Sequence, residues 1–277
     1  MKQIVFQNKK IFYSTGGKGK PVMLLHGFAE DGNIWNNQWQ KLIEKFYVIV
    51  PDLPGSGRSE LPEGVTSVED FADVVKAIID IEIPNKRKDK GETDLFTLIG
   101  HSMGGYITLA FAEKYPELLT AFGLFHSTAY ADDDAKKETR RKGIEFIKNN
   151  GAALFLKNTT PNLFSEKTRI ENPELLEKLI DESKDFSSES LIRYYEAMIQ
   201  RGDRTSVLRS SRKPVLFIMG KYDNAVPLQA SLEQSYLPSV SHIHILQNSG
   251  HMGMWEEKDK ATAFLLNFLS GFSVSTH

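Results

Sequence analysis

A serine between two glycines is the residue with the clearest chemical potential in this chain of 277 residues. Ser102 lies in the segment G-H-S-M-G at residues 100–104, a G-x-S-x-G pattern. The apolar run Leu95–Ile99 precedes it, and a nearly continuous apolar stretch from Met103 to Tyr115 follows. A serine on a sharp strand-to-helix turn needs glycines where side chains would clash, and the helix N-terminus favours developing negative charge. The pattern therefore predicts a nucleophilic serine.

A serine hydroxyl is a weak nucleophile until a base removes its proton, and histidine is the usual base. The chain contains seven histidines, which are His26, His101, His126, His242, His244, His251 and His277. His101 is too close to Ser102 in the chain to act as its base. His242 and His244 alternate with isoleucines along a strand, His26 ends a strand, and His277 is the last residue. His126 and His251 remain as candidates.

Of these two, His251 has the more suitable position. It lies in the glycine-flanked segment N-S-G-H-M-G at 248–253, between the last predicted strand and the last predicted helix. A loop that follows the carboxyl end of a strand can bring an imidazole to the active edge of an open sheet. We therefore expect His251 to be the base.

The imidazole needs a carboxylate that orients it, and the best candidate is Asp223. Asp223 follows the apolar run Val215–Met219, so it also lies beyond the end of a strand. Asp132, Asp133 and Asp134 are rivals, but they have the pattern of a capped helix start. The order Ser102, Asp223, His251 is the one expected for a G-x-S-x-G serine on such a sheet.

Backbone N–H groups must stabilise the oxyanion that forms when the serine attacks a carbonyl. The N–H of Met103, directly after the nucleophile, is one candidate. The loop after an early strand should provide the second, and the segment L-L-H-G-F at 24–28 fits that place. The N–H of Phe28 is therefore our second candidate.

The elements that must position these residues are short buried strands that alternate with helices. The apolar runs that predict strands are Val22–Leu25, Tyr47–Val50, Leu95–Ile99, Phe122–Phe125, Val215–Met219 and Ile243–Leu246. Runs of this kind suit strands buried on both faces, as in a parallel sheet. Helices are predicted after Ser67, over Met103 to Tyr115 and over Ala261 to Leu269, and an N-terminal hairpin joins Ile4–Phe6 to Ile11–Ser14. This alternation predicts a doubly wound α/β sheet.

One segment interrupts the alternation. Between about 127 and 206 there is no convincing buried strand, and three stretches have helical patterns, namely Asp132 to Asn149, Asn172 to Asp185 and Ser187 to Arg201. We interpret 127–206 as a helical cap inserted between two strands, and 1–126 with 207–277 as the core. The charge run at 85–90 is interpreted as a solvated loop.

Composition excludes several classes of protein. Lys and Arg number 34 and Asp and Glu 36, a net charge of −2, which offers no electrostatic footprint for nucleic acid. The absence of cysteine excludes disulfides and thiolate chemistry. The first residues contain too short an apolar run for a signal peptide, and no stretch is long enough for a membrane helix. We expect a cytoplasmic protein whose partner is a small molecule, without contact to nucleic acid or membrane.

Five segments together resemble the α/β-hydrolase fold superfamily, and they occur in that family's order. They are L-H-G-F at 25–28, D-L-P-G-S-G-R-S at 52–59, G-H-S-M-G-G at 100–105, G-K-Y-D at 220–223 and G-H at 250–251. The resemblance implies a mostly parallel sheet with helices on both faces, a helical cap, and a triad of Ser102, Asp223 and His251. The resemblance is to serine-type members with motifs of the esterase or cofactor-free perhydrolase kind. Relatives that open epoxides or cleave carbon–halogen bonds carry aspartate where this chain has Ser102.

The expected function is a carboxylesterase for small or medium uncharged acyl esters, with neither cofactor nor metal ion. The alternatives that use the same triad are a C–C bond, lactone or thioester hydrolase and a cofactor-free perhydrolase. A non-catalytic small-molecule binder would have no need of all three triad groups. The candidate wall residues of the substrate pocket are Trp35, His126 and Val226, beside Phe28 and Met103.

Overall fold

A computed structural model describes residues 1–83 and 95–271 of the chain. The charged run 85–90 and His277 lie outside the described residues. The centre of the fold is an eight-stranded sheet with the order β1-β2-β4-β3-β5-β6-β7-β8. Its strands are β1 (Lys2–Phe6), β2 (Lys9–Gly16), β3 (Pro21–Leu25), β4 (Tyr47–Pro51), β5 (Phe96–His101), β6 (Leu119–Phe125), β7 (Val215–Gly220) and β8 (Ser241–Leu246).

The predicted hairpin forms one edge of this sheet. β1 and β2 are antiparallel with Ile4 opposite Ile11, and β2 continues antiparallel to β4. The reversal is made by Gln7 and Asn8, which both have positive φ, as a tight two-residue hairpin turn requires. The hairpin is therefore confirmed, with the turn at 7–8.

The strands from β4 through β3 to β8 are all parallel. Their carboxyl ends consequently meet along one edge of the sheet, which is where loops carry functional groups in open α/β folds. β5 and β7 are buried at every position, in agreement with their continuous apolar sequences. The strands that precede Ser102 and Asp223, β5 and β7, are separated in the sheet only by β6.

Helices cover both faces of the sheet, as predicted. α2 (Val68–Glu82), α3 (Met103–Lys114) and α10 (Leu228–Ser235) pack on one face, and α1 (Asn36–Ile43) and α12 (Lys258–Ser270) on the other. α2 begins with a capping box in which Ser67 accepts from the Asp70 N–H and Asp70 accepts from the Ser67 N–H. No helix within the described ranges is both long enough and apolar enough to cross a membrane.

A helical region is inserted between β6 and β7. It contains α4 (Asp134–Asn150), α5 (Ala152–Thr159), α6 (Glu166–Glu171), α7 (Pro173–Ser183), α8 (Ser188–Gln200) and α9 (Thr205–Ser210). Helices at α4, α7 and α8 were predicted, whereas α5, α6 and α9 were not. The one-turn helix α11 (Gly253–Glu256) follows the His251 loop. The division of the chain into a core and a cap at 127 and 206 stays a prediction.

Candidate active site

Ser102 occupies a strained turn between β5 and α3. Its φ of 49° and ψ of −115° lie in a region that side chains rarely adopt, and its N–H donates to the Phe125 carbonyl at 3.0 Å. The turn is possible only because glycines flank it. A Cβ on Gly100 would lie 2.1 Å from the Gly104 carbonyl oxygen, and one on Gly104 would lie 2.6 Å from the His26 carbonyl oxygen. The strand, the turn and the helix are therefore arranged as the G-x-S-x-G pattern predicts.

The predicted acid and base are hydrogen-bonded to each other. Nδ1 of His251 lies 2.8 Å from Oδ2 of Asp223, and both side chains are buried. The other carboxylate oxygen, Oδ1, accepts from the N–H groups of Ala225 and Val226 at 2.9 and 2.8 Å. These two backbone bonds hold the carboxylate in place behind the imidazole.

Burial and charge shift the pKa values of Asp223 and His251 in opposite directions. Burial alone would raise the pKa of the Asp223 carboxyl, but the charge of His251 and hydrogen bonds from His126 and His251 lower it well below the usual range. Burial alone would lower the pKa of His251, but the Asp223 carboxylate outweighs it and raises that pKa above 6.5. The acid therefore stays ionised, and the imidazole is a stronger base than a free histidine.

His126 also binds Asp223. Its Nδ1 lies 3.0 Å from Oδ2, on the same oxygen that His251 contacts. His126 has a φ of 49°, directly after β6, and its Nε2 is buried without a hydrogen-bond partner among the described residues. Burial lowers the pKa of His126 to about 4, so the ring is neutral near pH 7 and its Nδ1–H donates to the carboxylate.

A second buried histidine–carboxylate contact lies beside the first. Nδ1 of His101 is 2.9 Å from Oε2 of Glu30, and Nε2 is 3.0 Å from the backbone carbonyl of His251. Both ring nitrogens of His101 are thus engaged by oxygen atoms of other residues. Burial alone would raise the pKa of Glu30, but the interaction with His101 and the hydrogen bonds from His101 and the Gly27 N–H together lower it. His101 is therefore not a rival base, and it ties the turn of Ser102 to the loop of His251.

The loop of the predicted oxyanion donor Phe28 touches the Ser102 turn. A Cβ on Gly27 would lie 3.0 Å from Cβ of Ser102, and the Gly27 N–H donates to Glu30 at 2.6 Å. Met103 is the first residue of α3, where backbone N–H groups have no acceptor within the helix. The Phe28 ring stacks on Tyr195 of the inserted region, with ring centroids 4.4 Å apart. The assignment of both N–H groups to an oxyanion hole stays a prediction.

The three candidate wall residues offer little accessible surface. Trp35 is fully buried and packs edge-to-face on Phe125, inside the core cluster beneath α1 and α12. The structure therefore places Trp35 in the core. His126 and Val226 are also almost fully buried, and both are bonded to Asp223. Contact of substrate with any of the three stays a prediction.

The rival acid Asp132 has a different task. It is buried and binds Arg140 through Oδ2 at 2.6 Å and Arg201 through Oδ1 at 2.9 Å. Asp133 caps α4 by accepting from the Lys136 N–H at 2.7 Å. Burial would raise the pKa of Asp132, but its bonds to Arg201 and Arg140 lower it to about 2. These aspartates hold the inserted helices, and Asp223 alone of the predicted acids contacts His251 among the described residues.

One group could be considered as a metal site. Ligand atoms of His126, Asp223 and His251 all lie within 4.8 Å of one another. The nitrogen–oxygen separations of 2.8 and 3.0 Å are hydrogen-bond distances, so Nδ1 of each histidine is already engaged by Oδ2 of Asp223. The three side chains fit one another as donors and an acceptor.

Sequence reasoning missed Glu30, Glu256 and Tyr195 as residues that contact the site. Glu30 is three residues beyond Gly27 and Glu256 five beyond His251, so nearness to a motif was the only available signal. Tyr195 lies in the inserted region, 93 residues beyond Ser102, and no motif adjoins it.

Comparison with known proteins identifies the family of the fold. The family model of the alpha/beta hydrolase fold matches residues 20–258. An uncharacterised protein of Mycobacterium bovis is 30% identical over 107 residues, which are 39% of this chain and only 29% of that protein's length. The 2-hydroxy-6-oxo-2,4-heptadienoate hydrolase of Pseudomonas putida is 25% identical over 268 residues, 90% of this chain and 87% of that protein.

A solved structure of an esterase has a similar fold. A thermophilic esterase from Thermogutta terrifontis, with malate bound, is 29% identical and superposes with a TM-score of 0.87 over 95% of this chain and 94% of that one. Together with the strained serine turn and the buried Asp223–His251 pair, these matches show that the chain belongs to the α/β-hydrolase fold family.

Proposed function

We propose that the protein is a serine hydrolase of carboxylic esters, with Ser102 as nucleophile, His251 as base and Asp223 as the orienting acid. The observation that carries this proposal is the Asp223–His251 hydrogen bond, held beside the Ser102 turn by His101. A carboxylate that fixes the imidazole tautomer and a serine on a sharp turn beside that imidazole are two of the requirements of acyl transfer by a triad.

The reaction has two steps. His251 takes the proton of Ser102 as its oxygen attacks the ester carbonyl, and the oxyanion is stabilised by the N–H groups of Phe28 and Met103. His251 then protonates the leaving alcohol, which leaves the acyl group on Ser102. Water activated by His251 attacks the acyl-enzyme and releases the acid. Asp223 stays ionised throughout.

The surroundings of the loop of Phe28 favour a small or medium uncharged acyl group. Phe28 is half-buried and contacts the aromatic rings of Phe155, Tyr194 and Tyr195 from the inserted helices. Apolar and aromatic walls favour apolar groups because burial of apolar surface drives their binding. The similarity to the Thermogutta esterase supports an ester as substrate.

The second candidate is cleavage of a C–C bond by the same triad. Its support is the similarity to the Pseudomonas putida hydrolase, whose name describes a 2-hydroxy-6-oxo dienoate substrate. Ester and vinylogous diketone substrates therefore have to be compared directly.

The test is hydrolysis of p-nitrophenyl esters from acetate to decanoate by wild type and Ser102→Ala in parallel. We expect an optimum at short or medium chain length and a loss on the order of 10⁶ in kcat for the variant. A folded variant that loses less than tenfold would remove Ser102 from its role. Dienoate cleavage, lactone and thioester hydrolysis, and halide oxidation with peroxide and a carboxylic acid are measured alongside. Tight ligand binding without any turnover would indicate a binding protein.

A further inference from the structure

The loop of His251 is attached to the inserted helices as well as to the sheet. The backbone N–H of His251 donates to the carbonyl of Leu163 at 2.7 Å. Leu163 ends a 3-10 turn between α5 and α6. The two segments approach so closely that a Cβ on Gly250 would lie 2.7 Å from the Ser165 nitrogen and 2.8 Å from the Leu163 oxygen. The position of His251 therefore depends on a segment almost 90 residues earlier in the chain.

Glu256 joins the same two segments through its side chain. Oε1 accepts from the N–H groups of Gly250 and Met252 at 2.8 and 3.3 Å, on either side of His251. Oε2 accepts from the N–H of Ser165 at 2.8 Å and from the hydroxyl of Thr168 at 2.7 Å, both in the inserted region. One carboxylate thus has four donors, two from the loop and two from the start of α6.

We propose that Glu256 is a positioning residue that fastens the inserted helices to the loop of His251, so that the start of α6 is a fixed part of the catalytic machinery. The proposal rests on the role of His251 in the proposed function. It assigns to Glu256 no contact with substrate. Its effect is transmitted through Gly250 and Met252 to the backbone that carries the imidazole.

The chemistry of the four contacts requires a carboxylate. All four partners are donors, and an ionised carboxylate is the side chain that offers acceptors on both of its terminal atoms. Glutamine would place its NH₂ group either against the N–H groups of Gly250 and Met252 or against the N–H of Ser165, so the loop or α6 would lose at least one backbone hydrogen bond. Small displacements of a catalytic group are costly, since a shift of about 1 Å can reduce the rate by about 100-fold.

The neighbouring Glu257 provides a matched control. Its Oε2 accepts from the N–H of Asn248 and the hydroxyl of Ser249, and its Oε1 binds Lys260. It therefore holds the beginning of the same loop, but its described contacts include none with the inserted helices. If a general loosening of the loop caused the loss of activity, either glutamate substitution would produce it. Of the substitutions tested, only those at Glu256 and Thr168 break the connection to α6.

The experiment compares Glu256→Gln, Thr168→Val and Glu257→Gln in the full chain. For Glu256→Gln we expect kcat for ester hydrolysis to fall by about 10- to 100-fold, with KM within about threefold of wild type. Thr168→Val keeps the carboxylate and the shape, removes one donor from α6, and should reduce kcat by about fivefold. The double variant Glu256→Gln/Thr168→Val should have nearly the same kcat as Glu256→Gln alone, because both substitutions break the same connection. Glu257→Gln should keep kcat within about threefold.

Hydrogen–deuterium exchange provides a readout that does not need turnover. Amides of residues 250–252 should exchange faster in Glu256→Gln and in Thr168→Val, and at the wild-type rate in Glu257→Gln. Unchanged exchange and kcat in the first two variants, or equal changes in all three, would overturn the proposal. If Glu256→Gln does not fold, Thr168→Val decides the matter. Wild-type enzyme without ester turnover would contradict the proposed function, while the exchange data would still test the connection.

Discussion

Nδ1 of His126 lies 3.0 Å from Oδ2 of Asp223, the oxygen that also lies 2.8 Å from Nδ1 of His251. One acid thus serves two histidines. Nε2 of His126 is enclosed, since a Cβ on Gly253 would lie only 2.4 Å from it. His126 is therefore suited to orienting the carboxylate, which supports the proposal that His251 is the base of Ser102.

The first prediction concerns the acid itself. Asp223→Asn keeps the size of the side chain but removes the charge that selects the imidazole tautomer, so kcat for ester hydrolysis should fall by about 10⁴-fold. Steady-state kinetics with a p-nitrophenyl ester measures the effect. The same substitution at exposed Asp134 is the control and should leave kcat unchanged. A loss below tenfold would assign the acid role elsewhere.

The second prediction is the pH dependence of the reaction. The base must be unprotonated to accept the serine proton, and the Asp223 carboxylate raises the pKa of His251 above 6.5 despite burial. kcat/KM should therefore fall as pH decreases, with a midpoint above 6.5. A pH–rate profile of the wild type between pH 4.5 and 9, at about constant ionic strength, tests this. A midpoint well below 6.5 would contradict it.

The third prediction tests whether Glu30 affects the pKa of His251 or only stabilises the fold. The negative charge of Glu30 contributes to the raised pKa of His251. Glu30→Gln removes that charge, so the acidic limb of the kcat/KM profile should move to lower pH, and loss of the contact to His101 should lower the melting temperature. A variant that is destabilised but has an unshifted limb would show that Glu30 acts only on the fold. Exposed Glu138→Gln is the control.

The fourth prediction concerns stability in acid. Burial lowers the pKa of His126 to about 4, so between pH 6.5 and about 4 the unfolded chain binds a proton at this residue that the folded chain does not. His126 therefore costs stability as pH falls through this window, by about 3 kcal/mol in total, because each pH unit contributes about 1.4 kcal/mol. Urea unfolding at several pH values should show a steeper loss for wild type than for His126→Asn. If the free energy of unfolding depended on pH in the same way in both proteins, the proposed cost of His126 would be contradicted.

The fifth prediction concerns the ion pairs that hold the inserted helices. The Arg201 side chain is 2% exposed and forms an ion pair with Asp132, which also forms one with Arg140. Asp132→Ala would leave a buried positive charge without its carboxylate, which should lower the free energy of unfolding by about 3–5 kcal/mol. Urea denaturation measures the loss, with Asp134→Ala as the exposed comparison. A loss below about 1 kcal/mol would show that water or another group takes over the charge.

Much of the fold could be read from neighbouring residues because its signals are local. The apolar run before Ser102 and the glycines around it describe a strand, a turn and a helix within a few residues of chain. Ser67 and Asp70 form the capping box that their three-residue spacing predicts. The short helices α5, α6 and α9 were missed because six or eight residues contain too few turns for a helical period to emerge.

The contacts that complete the site were decided by which strand ends and loops meet in space. Glu30 and His101 are separated by 71 residues in the chain. The separation is 97 residues for the pair His126 and Asp223, and 88 residues for the pair Thr168 and Glu256. No local pattern encodes such pairs, because hydrogen-bond geometry depends on the order of strands in the sheet and on how the inserted helices pack. The sequence likewise did not indicate the environment of Trp35, whose side chain packs on Phe125 in the core. Residue types and their order thus predicted the chemistry of the serine, the histidine and the acid, and tertiary packing chose the partners that hold them.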